Sequence, residues 1–150
     1  MKPSKDSYSL DSGVLIEMLL GTPGSRIISD PLLLGSPIIA YTCHFNLSEA
    51  EYVLCRLLGR TQARSKVDNL VRSNYINLTD AGRLYANAAE IKFERSLALG
   101  ECYTVANAKV TGSIALFAFQ EEELKSEMER KPFDVEILFI EGLPRTGSPS

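Results

Sequence analysis

The sequence has few cysteines, one histidine and no long apolar run. The cysteines are Cys43, Cys55 and Cys102. They are far apart and form no C-x-x-C pair, which excludes the usual disulfide and zinc patterns. Pro31, Gly35 and Pro37 interrupt the longest apolar stretch, so no segment approaches the roughly 20 residues of a transmembrane helix. Residues 1–6 are polar and do not resemble a signal peptide. We therefore expect a cytoplasmic protein with reduced thiols and no membrane association.

The composition is that of one globular domain, with 45% hydrophobic and 23% charged residues in a chain of 150. We assign residues 1–142 to this domain and residues 143–150 to a flexible C-terminal tail. The net charge of −3 argues against binding dominated by phosphate contacts. Basic residues are nevertheless concentrated between Arg56 and Arg72, where Asp68 is the only acid. The charge distribution is therefore compatible with a basic patch beside an acidic site.

Hydrophobic residues recur with periods that alternate between strand and helix along the chain. The predicted strands are SYSL, SPIIAYTCHF, YINLTD, SIALFAF and DVEILFI. The predicted helices are DSGVLIEMLLG, NLSEAEYVLCRLLG, RTQARSKVDNLVRSN, DAGRLYANAAEIKFERS, LALGECYTVANAKV and EEELKSEMER. TPGSRIISDPLLLG is either a further helix or a loop broken by Pro31. This alternation predicts a three-layer α/β/α fold with a central parallel sheet of about four or five strands.

Several polar residues stand where a helix is predicted to begin. The candidate N-caps are Asp11 or Ser12 for the first helix, Asn46 or Ser48 for the helix after the second strand, and Thr79 for the helix after the third. Capping is the ordinary role of an aspartate in such a place. In a parallel sheet, however, the same place lies at the carboxyl ends of the strands, where functional groups gather. Both roles are open for Asp11 at this point.

Four acidic residues occupy comparable places. They are Asp11, Glu49, Glu101 and Glu121. Each has an ordinary explanation, since acids stabilise the first turn of a helix, where we place Glu49, and Glu121 begins a run of three glutamates. Glu101 is harder to explain, because its predicted helix is otherwise small and apolar. Converging carboxylates repel one another and stay ionised mainly when a divalent cation binds them. Oxygen ligands without a histidine or cysteine cluster favour Mg²⁺ or Mn²⁺.

The segments that carry these acids resemble the motifs of the PIN-domain ribonucleases, in particular the VapC-like toxins of archaeal and bacterial type II toxin–antitoxin systems. The segments are SYSLDSGVLIEMLLG, NLSEAEYVLCRLLG, SLALGECYTVANAKVTGSIALF and EEEL. Their order and spacing match the family over about residues 7–140. The resemblance implies a PIN-like fold and a metal-dependent endoribonuclease that hydrolyses RNA phosphodiester bonds.

The resemblance also implies the site residues. Asp11, Glu49, Glu101 and Glu121 become the catalytic and metal-binding acids, Glu123 competes with Glu121 as a metal ligand, and Ser12 supplies a supporting hydroxyl. The cofactor is then Mg²⁺ or Mn²⁺, and no side chain is required as a nucleophile. The only histidine, His44, falls within a predicted strand, where we expect a packed or capping residue rather than a general base.

Two departures from the family pattern support an alternative. The third and fourth acids are usually aspartates in the family and are glutamates here, and Phe117 or Ala118 replaces a small hydroxyl residue. Mg²⁺ tolerates misplaced ligands poorly, so the alternative is a catalytically impaired PIN-fold protein that acts as an RNA-binding or assembly module. A receiver-like domain is disfavoured, since the chain lacks an acid pair after its first strand and a lysine after its last.

RNA and protein partners follow from the same reasoning. Arg56, Arg60 and Arg64 recur every four residues and are candidate RNA-binding residues, although a solvated helix face explains the spacing equally well. The resemblance implies a homodimer and a small antitoxin that covers the acidic crevice. We predict that RIISDPLLLGSPIIAY, residues 26–41, forms the dimer or antitoxin surface, with a second core helix as the alternative.

Overall fold

The computed structural model describes residues 7–29 and 38–142 of the chain. The predicted tail, residues 143–150, and the central part of the predicted partner surface lie outside the described residues. Five strands form one all-parallel sheet with the order β3-β2-β1-β4-β5. They are β1 (Ser7–Leu10), β2 (Ile39–Cys43), β3 (Ile76–Thr79), β4 (Ile114–Phe117) and β5 (Ile137–Phe139). The predicted α/β class and strand number are therefore confirmed.

Helices follow the strands on both faces of the sheet. They are α1 (Ser12–Leu20), α2 (Arg26–Ser29), α3 (His44–Leu58), α4 (Arg60–Arg72), α5 (Tyr85–Glu94), α6 (Leu99–Thr111) and α7 (Glu122–Arg130). Short 3₁₀ turns cover Pro23–Ser25, Ala81–Arg83 and Ile140–Gly142. Parallel strands require such crossover connections, which explains the regular alternation seen in the sequence. Within the described ranges no helix is both long and apolar enough to span a membrane.

Side chains that alternate along the strands build a separate core on each face of the sheet. Leu10 and Leu116 pack with Val14 and Leu15 of α1 on one face. Ala115 and Phe117 pack against α5, α6 and α7 on the other, in a cluster that includes Cys102, Val105 and Leu124. Most of α6 is buried, as its small residues predict, and the hydroxyl of Ser9 donates a 2.8 Å hydrogen bond to the Thr104 carbonyl oxygen.

Two helix ends behave as predicted. Gly21 ends α1 in the left-handed conformation at φ 68°, and Gly59 ends α3 at φ 87°. Two predicted caps are wrong. The second strand ends at Cys43 and α3 begins at His44, so the N-cap residue is Cys43, whose sulfur accepts a hydrogen bond from the Phe45 amide, and not Asn46 or Ser48. Thr79 is the last residue of β3, and Asp80 caps the following turn instead by accepting from Gly82 N–H.

The earlier start of α3 corrects two further expectations. His44 is an exposed helical residue, not a strand residue, and its Nδ1 lies 3.2 Å from the Thr79 carbonyl oxygen. Glu49 falls in the second turn of α3 rather than the first. An apolar run followed by histidine, phenylalanine and asparagine reads locally as a longer strand, because β-type residues continue through Phe45. In the folded protein Phe45 is instead a residue of α3, and its ring stacks on that of Tyr103, with the centroids 4.5 Å apart.

Candidate active site

The candidate site lies where the strand order reverses. β1 pairs with β2 on one side and with β4 on the other, so the connections leaving β1 and β4 diverge and open a crevice at their carboxyl ends. Asp11 directly follows β1, and its amide donates a 3.0 Å hydrogen bond to the Leu116 carbonyl oxygen of β4. Glu121 follows β4 and is the N-cap residue of α7. The structure therefore brings the first and fourth predicted acids to the same edge of the sheet.

Asp11 occupies the N-cap position of α1 without acting as a side-chain cap. Its backbone is extended, at φ −74° and ψ 163°, and its carboxylate accepts no capping hydrogen bond from the first turn, although the nearby Ser12 and Gly13 amides lower its pKa. The carboxylate turns instead toward α6, where Thr104 Oγ1 donates a 2.7 Å hydrogen bond to Asp11 Oδ1. The side chain thus contacts α6 through Thr104 while it stays close to the first-turn amides of its own helix.

Asn46 fixes the orientation of Thr104 from the other side. Its side chain is fully buried, and its Nδ2 donates to Thr104 Oγ1 at 3.2 Å and to the Gly100 carbonyl oxygen at 3.0 Å. Because Thr104 Oγ1 accepts from this amide, its own hydrogen points to an acceptor. Asp11 Oδ1 at 2.7 Å is nearer and more strongly charged than the Gly100 carbonyl oxygen at 3.1 Å. Asn46, Thr104 and Asp11 therefore form a directed hydrogen-bond chain.

Glu49 reaches the crevice from α3 and lies over the backbone of α6. A methyl group on Gly100 would overlap the Glu49 carboxylate, so the glycine leaves the space in which this side chain lies. Burial raises the Glu49 pKa, a hydrogen bond from the Ser12 side chain lowers it, and the charge of Glu101 raises it. The net shift of the pKa is upward. Ser12 is thus a hydrogen-bond partner of Glu49, and its supporting role in the site stays a prediction.

Glu101 lies in the first turn of α6, near the other predicted acids. Its Oε1 accepts a 2.9 Å hydrogen bond from the Ala98 amide, so part of the carboxylate caps its own helix. Burial raises its pKa most, and the charges of Asp11, Glu121 and Glu123 raise it further. Glu121 and Glu123 are exposed on the α7 side. The five predicted acids are therefore coupled through their charges.

Among these acids, Asp11 has the most strongly raised pKa. Burial, followed by the charge of Glu49, raises its pKa from 3.8 to about 6, despite the opposing hydrogen bond from Thr104. Among residues 7–29 and 38–142, no three histidine, cysteine, aspartate or glutamate side chains are close enough to form a ready metal site. The acids are near enough to repel one another, and their donor oxygens suit a hard cation such as Mg²⁺ or Mn²⁺.

The predicted arginines do not form one helical stripe. Gly59 separates α3 from α4, so Arg56 lies on one helix and Arg60 and Arg64 on the next. Arg64 pairs with Glu51 and lies 3.5 Å from Asp68, whereas Arg56 lies over the Tyr52 ring, 4.9 Å from its centroid. All three arginines are exposed. Their assignment to RNA binding stays a prediction.

Sequence reasoning missed Thr104 and misassigned Asn46. Asn46 lies four and eight residues before Ala50 and Leu54, on the buried face of α3, which is the signal that it is not a solvent-facing cap. Thr104 lies in a run of buried residues in α6, three positions after Glu101. A hydrogen bond lowers the cost of burying a polar group, and the Asn46 amide nitrogen, the Thr104 hydroxyl and the Asp11 carboxylate bond to one another.

Comparison with known proteins adds to this geometry. No family model matches the sequence, and no curated protein matches it either. Among solved structures, VapC20 from Mycobacterium tuberculosis, described as a sarcin–ricin loop cleaving toxin, superposes with a TM-score of 0.61 at 16% identity, over 80% of this chain and 94% of that one. VapBC2 from Rickettsia felis, bound to a DNA fragment from its promoter, superposes with a TM-score of 0.61 at 15% identity, over 89% and 98%. The fold of this chain is therefore that of the VapC-like PIN-domain toxins, as the sequence motifs implied.

Proposed function

We propose that the chain is a metal-dependent endoribonuclease of the VapC type that hydrolyses RNA phosphodiester bonds at its carboxylate crevice. The observation that carries this proposal is the coupling of Asp11, Glu49 and Glu101 at the point where the strand order reverses, with the pKa of each raised. Clustered carboxylates with raised pKa values are typical of functional sites, since their repulsion costs stability that a purely structural role does not require.

The acidic and hydroxyl residues of the crevice would have different roles in such a site. Asp11 and Glu49 would be the principal ligands of Mg²⁺ or Mn²⁺, with Glu101, Glu121 and Glu123 closing around the ion from α6 and α7. When bound, the cation supplies an ionised water and offsets the charge on the phosphodiester. Thr104 donates a hydrogen bond to one oxygen of Asp11, and Ser12 donates one to Glu49. Such outer contacts orient the ligands.

RNA binding and protein partners are further parts of the proposal. The exposed Arg56, Arg60 and Arg64 would contact backbone phosphates. The sarcin–ricin loop named for VapC20 makes a structured ribosomal RNA loop a reasonable trial substrate. The similarity to VapBC2 supports the predicted small antitoxin. The homodimer and the surface within residues 26–41 stay predictions, and the described part of that segment contains both the buried Ile28 and the half-exposed Ile39.

The test is cleavage of end-labelled RNA by the purified protein. A single-stranded oligonucleotide and a sarcin–ricin loop hairpin are each incubated with Mg²⁺, Mn²⁺ or EDTA, beside an Asp11→Asn variant with a checked melting temperature. We expect cleavage that requires the metal and falls by at least about 100-fold in the variant, because a principal ligand is lost. Equal cleavage by both proteins, or cleavage in EDTA, would contradict the proposal.

A second function is favoured by two observations. The described residues contain no preformed group of three metal ligands, and the third and fourth acids are the longer glutamates. A PIN-fold protein without catalysis, acting as an RNA-binding or assembly module, fits both facts. It predicts RNA binding that is unchanged by metal and by Asp11→Asn, with no product in any reaction. The same experiment therefore separates the two functions when binding is measured alongside cleavage.

A further inference from the structure

We propose that Tyr52 and Arg56 form a stacking site for one unpaired nucleobase, at the head of a groove between α3 and α4 that binds the adjoining RNA backbone. This inference rests on the proposed ribonuclease function and adds a base-binding subsite to it. The aromatic side chain comes from the preceding turn of α3, four residues before Arg56.

Tyr52 has the position that such a subsite requires. It lies three residues after Glu49 on α3, so the two side chains are neighbours on the helix surface. Glu49 turns toward Gly100 and the crevice, whereas Tyr52 is 57% exposed beside it. A large aromatic ring held that far in solvent contributes little to the core. A base stacked there would belong to a nucleotide close to the carboxylate site.

Arg56 completes the stacking surface. Its guanidinium carbon lies 4.9 Å from the centroid of the Tyr52 ring, one helical turn further along α3. Within the part of the chain that the structure describes, Arg56 forms no ion pair. Unpaired bases stack on aromatic rings and on guanidinium planes, and the positive charge attracts the neighbouring phosphate. The pair therefore offers a stacking surface for one base and a positive charge for its phosphate.

The groove continues from Tyr52 along the two helices. Its first part has a volume of about 550 Å³ and is lined by His44, Ser48 and Tyr52 on α3 and by Val67 on α4. Its second part, of about 730 Å³, shares Glu51, Cys55, Arg64 and Asp68 with the first and adds Arg60 and Arg72. The two sections are therefore continuous, and the second follows α4 from Arg60 to Arg72.

The charge of the groove favours a polyanion. Both acids that line it, Glu51 and Asp68, pair with Arg64. Arg60 and Arg72 have no ion pair among the described residues and keep their positive charge. A single strand matches this arrangement, because its bases are free to stack on Tyr52, while a duplex keeps its bases enclosed. An acidic protein segment could pair with the arginines, but its acidic side chains would not stack on the Tyr52 ring.

The test measures RNA affinity in EDTA, where cleavage is absent, by fluorescence anisotropy of a labelled single strand. We expect Tyr52→Ala to weaken binding by about tenfold or more and Tyr52→Phe to retain wild-type affinity, because the ring is what a base stacks on. Tyr85→Ala is the matched control, since Tyr85 is 64% exposed but lies on α5 and lines neither part of the groove. Arg56→Ala should lower the salt dependence by about one phosphate contact.

An abasic scan of the same RNA makes the test specific. At one position, removing the base should weaken binding to the wild type but not to Tyr52→Ala, because the interaction is already absent from the variant. Equal affinities of wild type and Tyr52→Ala, with cleavage by the wild type intact in Mn²⁺, would overturn the subsite and leave the proposed function standing. A wild type that neither binds nor cleaves RNA overturns both. Binding of poly-glutamate that RNA cannot displace would assign the groove to a protein partner instead.

Discussion

The hydroxyl of Thr104 on α6 donates a 2.7 Å hydrogen bond to the Asp11 carboxylate at the end of β1, across 93 residues of sequence. The contact orients the charged residue that lies between the first strand and the first helix. Asp11 holds the N-cap position, yet its side chain is oriented by a different helix and faces the crevice.

Replacing Thr104 should disturb the site more than the fold. Thr104→Val keeps the shape of the side chain but removes the donor to Asp11 and the acceptor for Asn46. We expect the affinity for Mn²⁺, measured by electron paramagnetic resonance, to fall by about 10- to 100-fold. The free energy of unfolding should fall by about 1–3 kcal/mol, since buried polar groups lose partners. Thr104→Ser, which restores the hydroxyl, is the control, and a Val variant that binds Mn²⁺ like the wild type would show that Thr104 has no orienting role.

Asp11→Asn should stabilise the metal-free protein at high pH. Burial and Glu49 raise the pKa of Asp11 from 3.8 to about 6, so the folded state gains stability from its proton below pH 3.8 and loses that stability as the pH rises through 6. Asparagine keeps an acceptor for Thr104 without the charge. We expect the variant to be more stable at pH 8 by up to roughly 3 kcal/mol. The advantage should disappear near pH 4, as measured by urea denaturation in metal-free buffer. A constant difference across this range would rule out a charge effect.

Gly100→Ala should separate folding from site assembly. The added methyl group would meet the Glu49 carboxylate, which is the free end of a flexible side chain and can move away at little cost. Alanine also suits α6 better than glycine, so thermal stability should stay equal or rise by up to about 1 kcal/mol. Metal-dependent cleavage should nevertheless fall, because Glu49 loses its place over α6. Gly24→Ala is the control, since its methyl group would meet Ile140 at an ordinary 3.9 Å. Unchanged cleavage by Gly100→Ala would mean that Glu49 is not required there.

Glu127→Gln should destabilise the fold around α7 in a pH-dependent way. Glu127 of α7 is buried and accepts hydrogen bonds of 3.0 and 2.7 Å from Arg130, with Arg95 at 3.7 Å. The Arg130 hydrogen bonds hold its pKa below the usual 4.5, so its stabilisation is present above pH 4.5 and is lost as the pH falls through the lowered value. We expect a loss of about 2 kcal/mol at pH 7 that shrinks below pH 4. Cleavage at 25 °C should be unaffected, and a loss that is the same at pH 3.5 and pH 7 would contradict the role of the charge.

The spacing of the arginines in sequence did not predict their contacts. Arg56, Arg60 and Arg64 have helical spacing in sequence, but Gly59 breaks the helix between the first two. The residues that matter to Arg56 are instead on its own helix, where Tyr52 lies one turn back. Arg64 is largely engaged by Glu51 and Asp68. Spacing identified the basic region correctly, but it could not assign each arginine a partner.

The sequence by itself determined the order of strands and helices, the parallel sheet and the placing of acids after strands. Hydrophobic period and helix-ending glycines such as Gly21 and Gly59 are local signals, and they act over one or two turns of chain. Only the tertiary structure decided where α3 begins and what the polar side chains contact. Asn46 and Thr104 are 58 residues apart, and Glu49 lies over Gly100 from a separate helix. Such contacts depend on how the layers pack, because a buried polar group is satisfied by whichever neighbour the fold brings to it.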